Sequence, residues 1–348
     1  MRLSMEIAWG GSRRPFAEVA REVRDLEQAG LDLVWVAEAY TFDAISRLGY
    51  LAAVTERVEL ATGIVNVYGR TPTTIAMTMA GLDYVSGGRA ACGLGASGPQ
   101  VIEGFHGVPW EKPLTRVRET IDVCRMLWRR EKAQLDGQTI QVPLPEGRGT
   151  GLGKPLKFID TPERERIPIW WAALMGRSVA AAAEHADGWL PTLYVPDRAE
   201  RAWGEDLRAG LARRSPELGP LEIAAAAPVA IGEDLPVQEL RDRLRPMLAL
   251  YVGGMGARGK NFYNTLAQRY GFEAEAEEIQ DLYLDGKKDE AAAKIPQAWL
   301  EEATLIGPAS HVAERLAAYR EAGVTMLTID PLLGNGAETV AQLRELLG

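Results

Sequence analysis

Residues 312–330, VAERLAAYREAGVTMLTID, repeat residues 19–37, VAREVRDLEQAGLDLVWVA, almost position for position. The earlier copy opens as a helix, with Val19, Val23 and Leu26 at helical spacing on one face. A glycine then ends the helix, Gly30 in one copy and Gly323 in the other. A short hydrophobic run follows, the pattern of a strand buried on both faces of a parallel sheet. Two such helix–glycine–strand units near opposite ends of the chain point to a closed ring of them.

The alternation continues between the copies. Apolar runs at Met5–Trp9, Glu59–Val65, Ala90–Leu94, Pro168–Ala173, Gly188–Leu190 and Leu221–Ile231 bring the strands to about eight. Amphipathic stretches such as Thr73–Tyr84, Leu114–Arg129 and Ser178–His185 separate them. This predicts an α/β fold, a (β/α)8 TIM barrel, with residues 1–348 forming one barrel. Two segments break the rhythm. Residues 133–166 contain LDGQTIQVPLP and GRGTGLGKPLKF and read as a hairpin and loop, whereas 232–306 reads as a helical insertion with a Gly-rich loop between strands seven and eight.

Composition narrows the function. With 48 acidic against 39 basic residues the net charge is -9, which disfavours nucleic acid as a partner and favours a small-molecule substrate, leaving room for a homo-oligomer. No run is long and apolar enough to span a bilayer. The opening MRLSMEIAWGGSRRP lacks a signal-peptide pattern, so a cytoplasmic location is expected, with Cys92 and Cys124 as buried free thiols. His106, His185 and His311 are scattered without ligand spacing, so no metal is expected.

In a barrel, chemistry belongs to the loops at the C-terminal ends of the strands. There VWVAEAYTFDA, residues 34–44, runs from a buried strand into Glu38, Ala39 and Tyr40. GLGASG, Gly93–Gly98, matches a dinucleotide fingerprint but leaves the fourth strand and meets Pro99; a turn bringing backbone of Gly95 and Ser97 close to a ligand fits better. GMGARGKN, Gly254–Asn261, falls short of a P-loop because Asn261 replaces the magnesium-binding hydroxyl, leaving Arg258 and Lys260 for anions. The turn Met175, Gly176, Arg177 and Ser178 joins a strand to a helix, and its free N–H groups with Arg177 suit a phosphate; an ordinary capped turn is the plainer reading. His106 follows the fourth strand and would face the pocket, lined by Trp9, Tyr40, Tyr68 and Tyr194.

The stretch ELATGIVNVYGRTPTTIAMTMAGLDYVSGGRAACGLGAS, with IPIWWAA, HADGW and GPASHVAERLAAYREAGV in that order, resembles the luciferase-like superfamily. Within it the chain is similar to the deazaflavin oxidoreductases that use coenzyme F420. The resemblance implies a tricyclic ring at the barrel mouth, backed by a non-proline cis peptide at Gly63–Ile64 with Asn66 beyond it. It implies a phosphate-bearing tail on Met175–Ser178 and hydride transfer to or from a small organic substrate. Several relatives carry Asp-His where this chain has Glu38–Ala39, which leaves Glu38 and Tyr40 as acid/base candidates, or Glu38 as a loop-shaping residue. An FMN-dependent monooxygenase of the same superfamily is the alternative, and a non-catalytic flavin-binding barrel a second one.

Overall fold

Eight parallel strands close on themselves in chain order. They are β1 Arg2–Glu6, β2 Leu33–Val36, β3 Glu59–Thr62, β4 Ala90–Gly95, β5 Ile169–Ala172, β6 Gly188–Leu190, β7 Glu222–Ile231 and β8 Met326–Pro331. The computed structural model describes residues 1–7 and 14–348. The ring shuts between β8 and β1, in the register Leu3↔Leu327 and Met5↔Ile329. One helix follows each strand around the outside: α1 Phe16–Gln28, α2 Ala44–Ala52, α3 Pro72–Ser86, α4 Pro113–Trp128, α5 Gly176–His185, α6 Ala199–Leu211, α7 Ala309–Glu321 and α8 Gly336–Leu347. The two sequence repeats are therefore α1–β2 and α7–β8. Gly30 and Gly323 both take left-handed φ, +102° and +86°, where a side chain is strained. Arg344 of α8 donates to the Gly30 carbonyl and pairs with Asp32, joining the end of the ring to its start.

Alternation along each strand separates two cores. Outward residues pack under the helices, whereas Leu33, Trp35, Ala61, Ala91, Trp170, Ala224 and Met326 fill the barrel interior. Trp35 and Trp170 meet edge to face at 5.3 Å and form its bulkiest layer. Towards the strands' C-terminal ends the inward positions change character. Ala226, two residues beyond buried Ala224, is exposed, and Ala172 and Pro228 are only half-buried. The inward positions near the upper ends of β5 and β7 are thus small and accessible above the Trp35–Trp170 pair.

The first interruption carries the expected hairpin, Leu135–Asp136 paired antiparallel with Gln141–Val142. Glu119 of α4 fixes it. Its carboxylate, 2% exposed, accepts from the N–H groups of Gln138, Thr139 and Ile140 and from the Thr139 hydroxyl at 2.6–2.9 Å. Further along, Arg164 clasps fully buried Asp83 and the Ala90 carbonyl. The second interruption holds helices from Val237–Asp242 to Gln297–Ala303 and returns through Leu305–Gly307, which pairs with the end of β7. Its glycines serve close packing: a β-carbon on Gly253 or Gly254 would run into the Tyr283 ring, and one on Gly256 into the backbone at Lys260 and Asn261. That packing, with Asn261 capping Phe262–Arg269, accounts for GMGARGKN without a nucleotide.

Candidate active site

The site is built from the top of β3 outward. Thr62 of β3 exchanges hydrogen bonds with Gly93 of β4, its hydroxyl donating to the Gly93 carbonyl at 2.9 Å and accepting the Gly93 N–H at 2.8 Å. The Gly63–Ile64 peptide that follows is cis, as the family resemblance implies. The chain then resumes as Val65–Asn66, in register with Leu94 and Gly95. This bulge needs the glycines opposite. A β-carbon on Gly93 would overlap the Thr62 carbonyl oxygen, and one on Gly95 would overlap the Ile64 side chain. GLGASG is thus a close strand-to-bulge contact, and Pro99, read as a break, instead starts the short helix Pro99–Gly104. Ser97 in the connecting turn is exposed with φ +53°.

Beside the bulge, Glu38 is held on three sides. Both its oxygens pair with the Arg70 guanidinium, and Oε2 also accepts the Ala44 N–H at 2.7 Å, with only 11% of the side chain exposed. Hydrogen bonding to Glu38 outweighs burial and raises the Arg70 pKa. Arg47 donates to the carbonyls of Ala37, Phe42 and Asp43 from the other side of the same loop. A carboxylate engaged in this way organises residues 38–44. Ala39 is half-buried behind it, while Tyr40 is 67% exposed, its ring 6.2 Å from Phe105. Asn66, 3% exposed, accepts from the N–H groups of Tyr68 and Gly69 and lies 3.2 Å from His106 Nε2. The third and fourth loops are therefore tied together.

Across the mouth stands a feature that the sequence reading missed. Ser4 and Thr328, on neighbouring strands, point inward and share a hydrogen bond of 2.9 Å. Two residues further along each strand, on the same inner face, are Glu6 and Asp330. Both side chains are exposed at the open mouth, yet desolvation by the surrounding barrel wall and then the nearby Asp330 push the Glu6 carboxyl up to about 7, with Arg47 opposing, and desolvation raises Asp330 as well. Tyr251, from the turn Leu250–Gly254 of the insertion, sits close enough to Glu6 and Tyr40 for both to raise its pKa after burial, and its ring meets Tyr263 at 4.7 Å. Glu6 was read as one letter of an apolar strand; only the pairing of β8 with β1 brings Asp330, far away in sequence, beside it.

The remaining expected residues divide. Gly176 opens α5 with φ +44°; Ser178 caps the turn by donating to the Met175 carbonyl at 2.6 Å, and Arg177 is exposed. Arg269 of the insertion, unremarked in the sequence, pairs with Asp206 at 2.8 Å and brings Nη2 to 3.8 Å from where a Gly176 β-carbon would stand, with Asp206 Oδ1 at 3.9 Å from the same point. Arg258 instead pairs with Asp281 at 2.7 Å, and Lys260 is exposed near it in the same loop. Tyr194 is not at the mouth: it is 2% exposed, stacks on Trp203 outside the barrel and donates to the Ala322 carbonyl. Tyr68 is likewise buried, with Arg116 over its ring. Trp9 lies outside the described residues. A separate groove of about 720 Å³ runs between the third loop and the hairpin, with Arg70, Arg116 and Arg148 in its walls. Among the described residues no cluster of His, Cys, Asp or Glu suits a metal ion, and no helix is long and apolar enough to cross a membrane.

The family model for luciferase-like monooxygenases matches residues 3–326. The chain belongs to this family. Along its whole length it is 40% identical to Rv3520c of Mycobacterium tuberculosis, provisionally named a coenzyme F420-dependent oxidoreductase, and covers 99% of that protein. It is 27% identical to the 5,10-methylenetetrahydromethanopterin reductase of Archaeoglobus fulgidus, over 94% of this chain and 93% of that one. Among solved structures, the coenzyme F420-dependent tetrahydromethanopterin reductase of Methanopyrus kandleri superposes with a TM-score of 0.78 at 20% identity, covering 98% of this chain and 96% of the other. An F420-dependent secondary alcohol dehydrogenase superposes at 0.69 and 16% identity, covering 99% and 97%. At these identities the superpositions establish the barrel.

Proposed function

We propose that the protein is a coenzyme F420-dependent oxidoreductase that moves a hydride between the deazaflavin and a small organic substrate. The observation that carries this reading is the hollow mouth, with Ala172, Pro228, Ala226 and Gly95 around it and Trp35 and Trp170 below. A flat tricycle needs width without protruding side chains, and these residues supply it. The bulge at Gly63–Ile64 with Asn66 forms one wall, and the loop of Ala39 and Tyr40, pinned by Glu38, forms the next. The phosphate would lie on the N–H groups of the Met175–Ser178 turn, with Arg177 and Arg269 as cations. The bound cofactor supplies hydride at C5 of the deazaflavin ring. The protein's part is to hold ring and substrate in register and keep water away, for which Tyr40, Phe105, Tyr251 and Tyr263 offer aromatic surface. His106 backs the Asn66 wall at 3.2 Å, and Lys260 is an exposed cation in the loop of Arg258.

The whole-length identity to a protein named for F420 favours that cofactor over FMN. Titrating the apoprotein with F420 and FMN side by side tests the choice: F420 should bind at least about tenfold more tightly, a difference of about 1.4 kcal/mol. Tighter FMN binding would move the protein to the monooxygenase branch. The same reading places the enzyme in the cytoplasm, where buried Cys92 and Cys124 stay reduced. Exposed Met77, Tyr84 and Val85 along α3 support a homo-oligomer.

A further inference from the structure

The groove between the third loop and the hairpin lies outside the barrel mouth, and nothing in the proposed hydride transfer uses it. We propose that it is a second binding site, for an organic anion that joins a phosphate or carboxylate to an apolar body. Such a site would exist whichever cofactor fills the mouth.

At about 720 Å³ the groove has the size of a small-molecule site. Arg70, Arg116 and Arg148 stand in its walls, and among the described residues no aspartate or glutamate lines it, in a chain of net charge -9. The three arginines differ in what they have left to give. Arg70 is committed to Glu38. Arg116 is half-buried and held in one orientation. Its Nε donates to the Val67 carbonyl at 2.9 Å, and its guanidinium carbon lies 4.7 Å from the centre of the Tyr68 ring. Its two terminal nitrogens meet no acceptor among the described residues. A fixed, partly desolvated guanidinium without a carboxylate keeps a fork of donors that matches the oxygens of a phosphate or carboxylate. Glu119, buried behind the hairpin, is spent on the N–H groups of Gln138, Thr139 and Ile140.

Arg148 accounts for a piece of sequence that the barrel mouth leaves unused. It stands in GRGTGLGK, where Gly147, Gly149 and Gly151 have left-handed φ of +82°, +110° and +76°. These are backbone shapes that favour glycine, and they carry exposed Arg148 at the rim of the groove. Its Nη1 donates to Gln141 at 3.0 Å, and its other N–H groups meet no acceptor among the described residues. The start of α3, Thr71–Thr73, adds the positive end of a 15-residue helix to the walls. Val142, Pro143 and Leu144 of the hairpin segment supply the apolar part, Leu144 being 58% exposed. An anionic head would sit on Arg116 and Arg148, with the apolar body against the hairpin.

The test uses the whole protein and four probes. Two of them, 1-naphthyl phosphate and 1-naphthoate, carry both parts; inorganic phosphate and 1-naphthol carry one each. Calorimetric titration at low salt should show one of the two-part probes binding at least about tenfold more tightly than either one-part probe, and high salt should weaken it. The tighter of the two naphthyl anions tells phosphate from carboxylate. Arg116→Gln should weaken that probe about tenfold or more, and Arg148→Ser about threefold or more. Arg148 is exposed, so its loss leaves the core untouched, and circular dichroism checks the fold of both variants. Two-part probes no tighter than 1-naphthol, binding indifferent to salt, or affinity unchanged in Arg148→Ser would overturn the proposal. So would loss of the probe on saturation with F420 or FMN, whichever the mouth accepts, because the probe would then be occupying the cofactor's site.

Discussion

Glu38 shows how far a single residue can be read from sequence and where that reading stops. Its place at the end of β2 on the functional rim followed from the strand pattern. Its partner did not, because Arg70 lies 32 residues away and meets it only once β2 and β3 pair. With both oxygens committed, Glu38 acts by anchoring its loop. Glu38→Gln should therefore weaken cofactor binding together with the rate while leaving the pH profile in place, and Arg70→Met should do the same. A double-mutant cycle on cofactor affinity should give a coupling of about 1–3 kcal/mol; additive effects would return Glu38 to the chemistry. Glu6 is the reverse case, undistinguished in sequence and prominent in the fold. Its folded-state pKa is raised, so the native protein binds more protons than the unfolded chain between the ordinary glutamate value and about 7. The pair thus costs stability as pH rises through that window, and the cost disappears below it. Glu6→Gln should raise the melting temperature relative to the parent at pH 8 and leave it nearly unchanged at pH 4.5, as thermal denaturation at the two values would show.

Among elements, the hairpin and the insertion divide what local pattern can and cannot reveal. LDGQTIQVPLP announced a hairpin through its turn residues and alternation, and the hairpin is there. What holds it, the buried Glu119 carboxylate, looked like any polar letter in a helix. Burial alone would raise the Glu119 pKa, but the Thr139 hydroxyl and three backbone N–H groups lower it below the ordinary carboxylate range. Its contribution to stability is therefore present above that range and fades as pH falls through the lowered value. Glu119→Ala should cost about 2–3 kcal/mol in denaturant unfolding at pH 7, since it strands three backbone donors, of which the Ile140 N–H is buried. A loss under about 1 kcal/mol would mean that the hairpin is held elsewhere. What the glycines of GMGARGKN do, Gly254 lying against Tyr283 and Gly256 against the Lys260–Asn261 backbone, is a set of tertiary contacts invisible in the string. The Met175–Ser178 turn was legible as a strand-to-helix junction; Arg269, supplied from the insertion, was not. Arg177→Ala and Arg269→Ala should each weaken F420 binding about tenfold and flatten its salt dependence. Titrations at low and high salt would show this, and unchanged affinity in both would remove the phosphate from this turn.

For the whole molecule, two repeats and a strand–helix rhythm sufficed for the barrel, because (β/α)8 closure is a rule of periodicity and handed connection. The mouth is less legible. Residues carried by one loop could be placed from sequence, as with Gly63, Ile64 and Asn66. Residues that meet across the ring, Glu6 with Asp330 and Gly176 with Arg269, depend on closure itself. Tyr194 was misplaced for a related reason: a tyrosine just past β6 can point into the mouth or outward under the helices, and packing on Trp203 settled it outward. The reading of the whole molecule turns on whether the barrel mouth over Trp35 and Trp170 receives the deazaflavin. The most direct measurement is a crystal structure of the protein soaked with oxidised F420. The expected density puts the tricycle in the mouth against Gly63–Ile64, with its phosphate on Met175–Ser178 and the Glu6–Asp330 pair at the open side. Density for the cofactor in the outer groove of Arg116 and Arg148, with the mouth left to solvent, would contradict it.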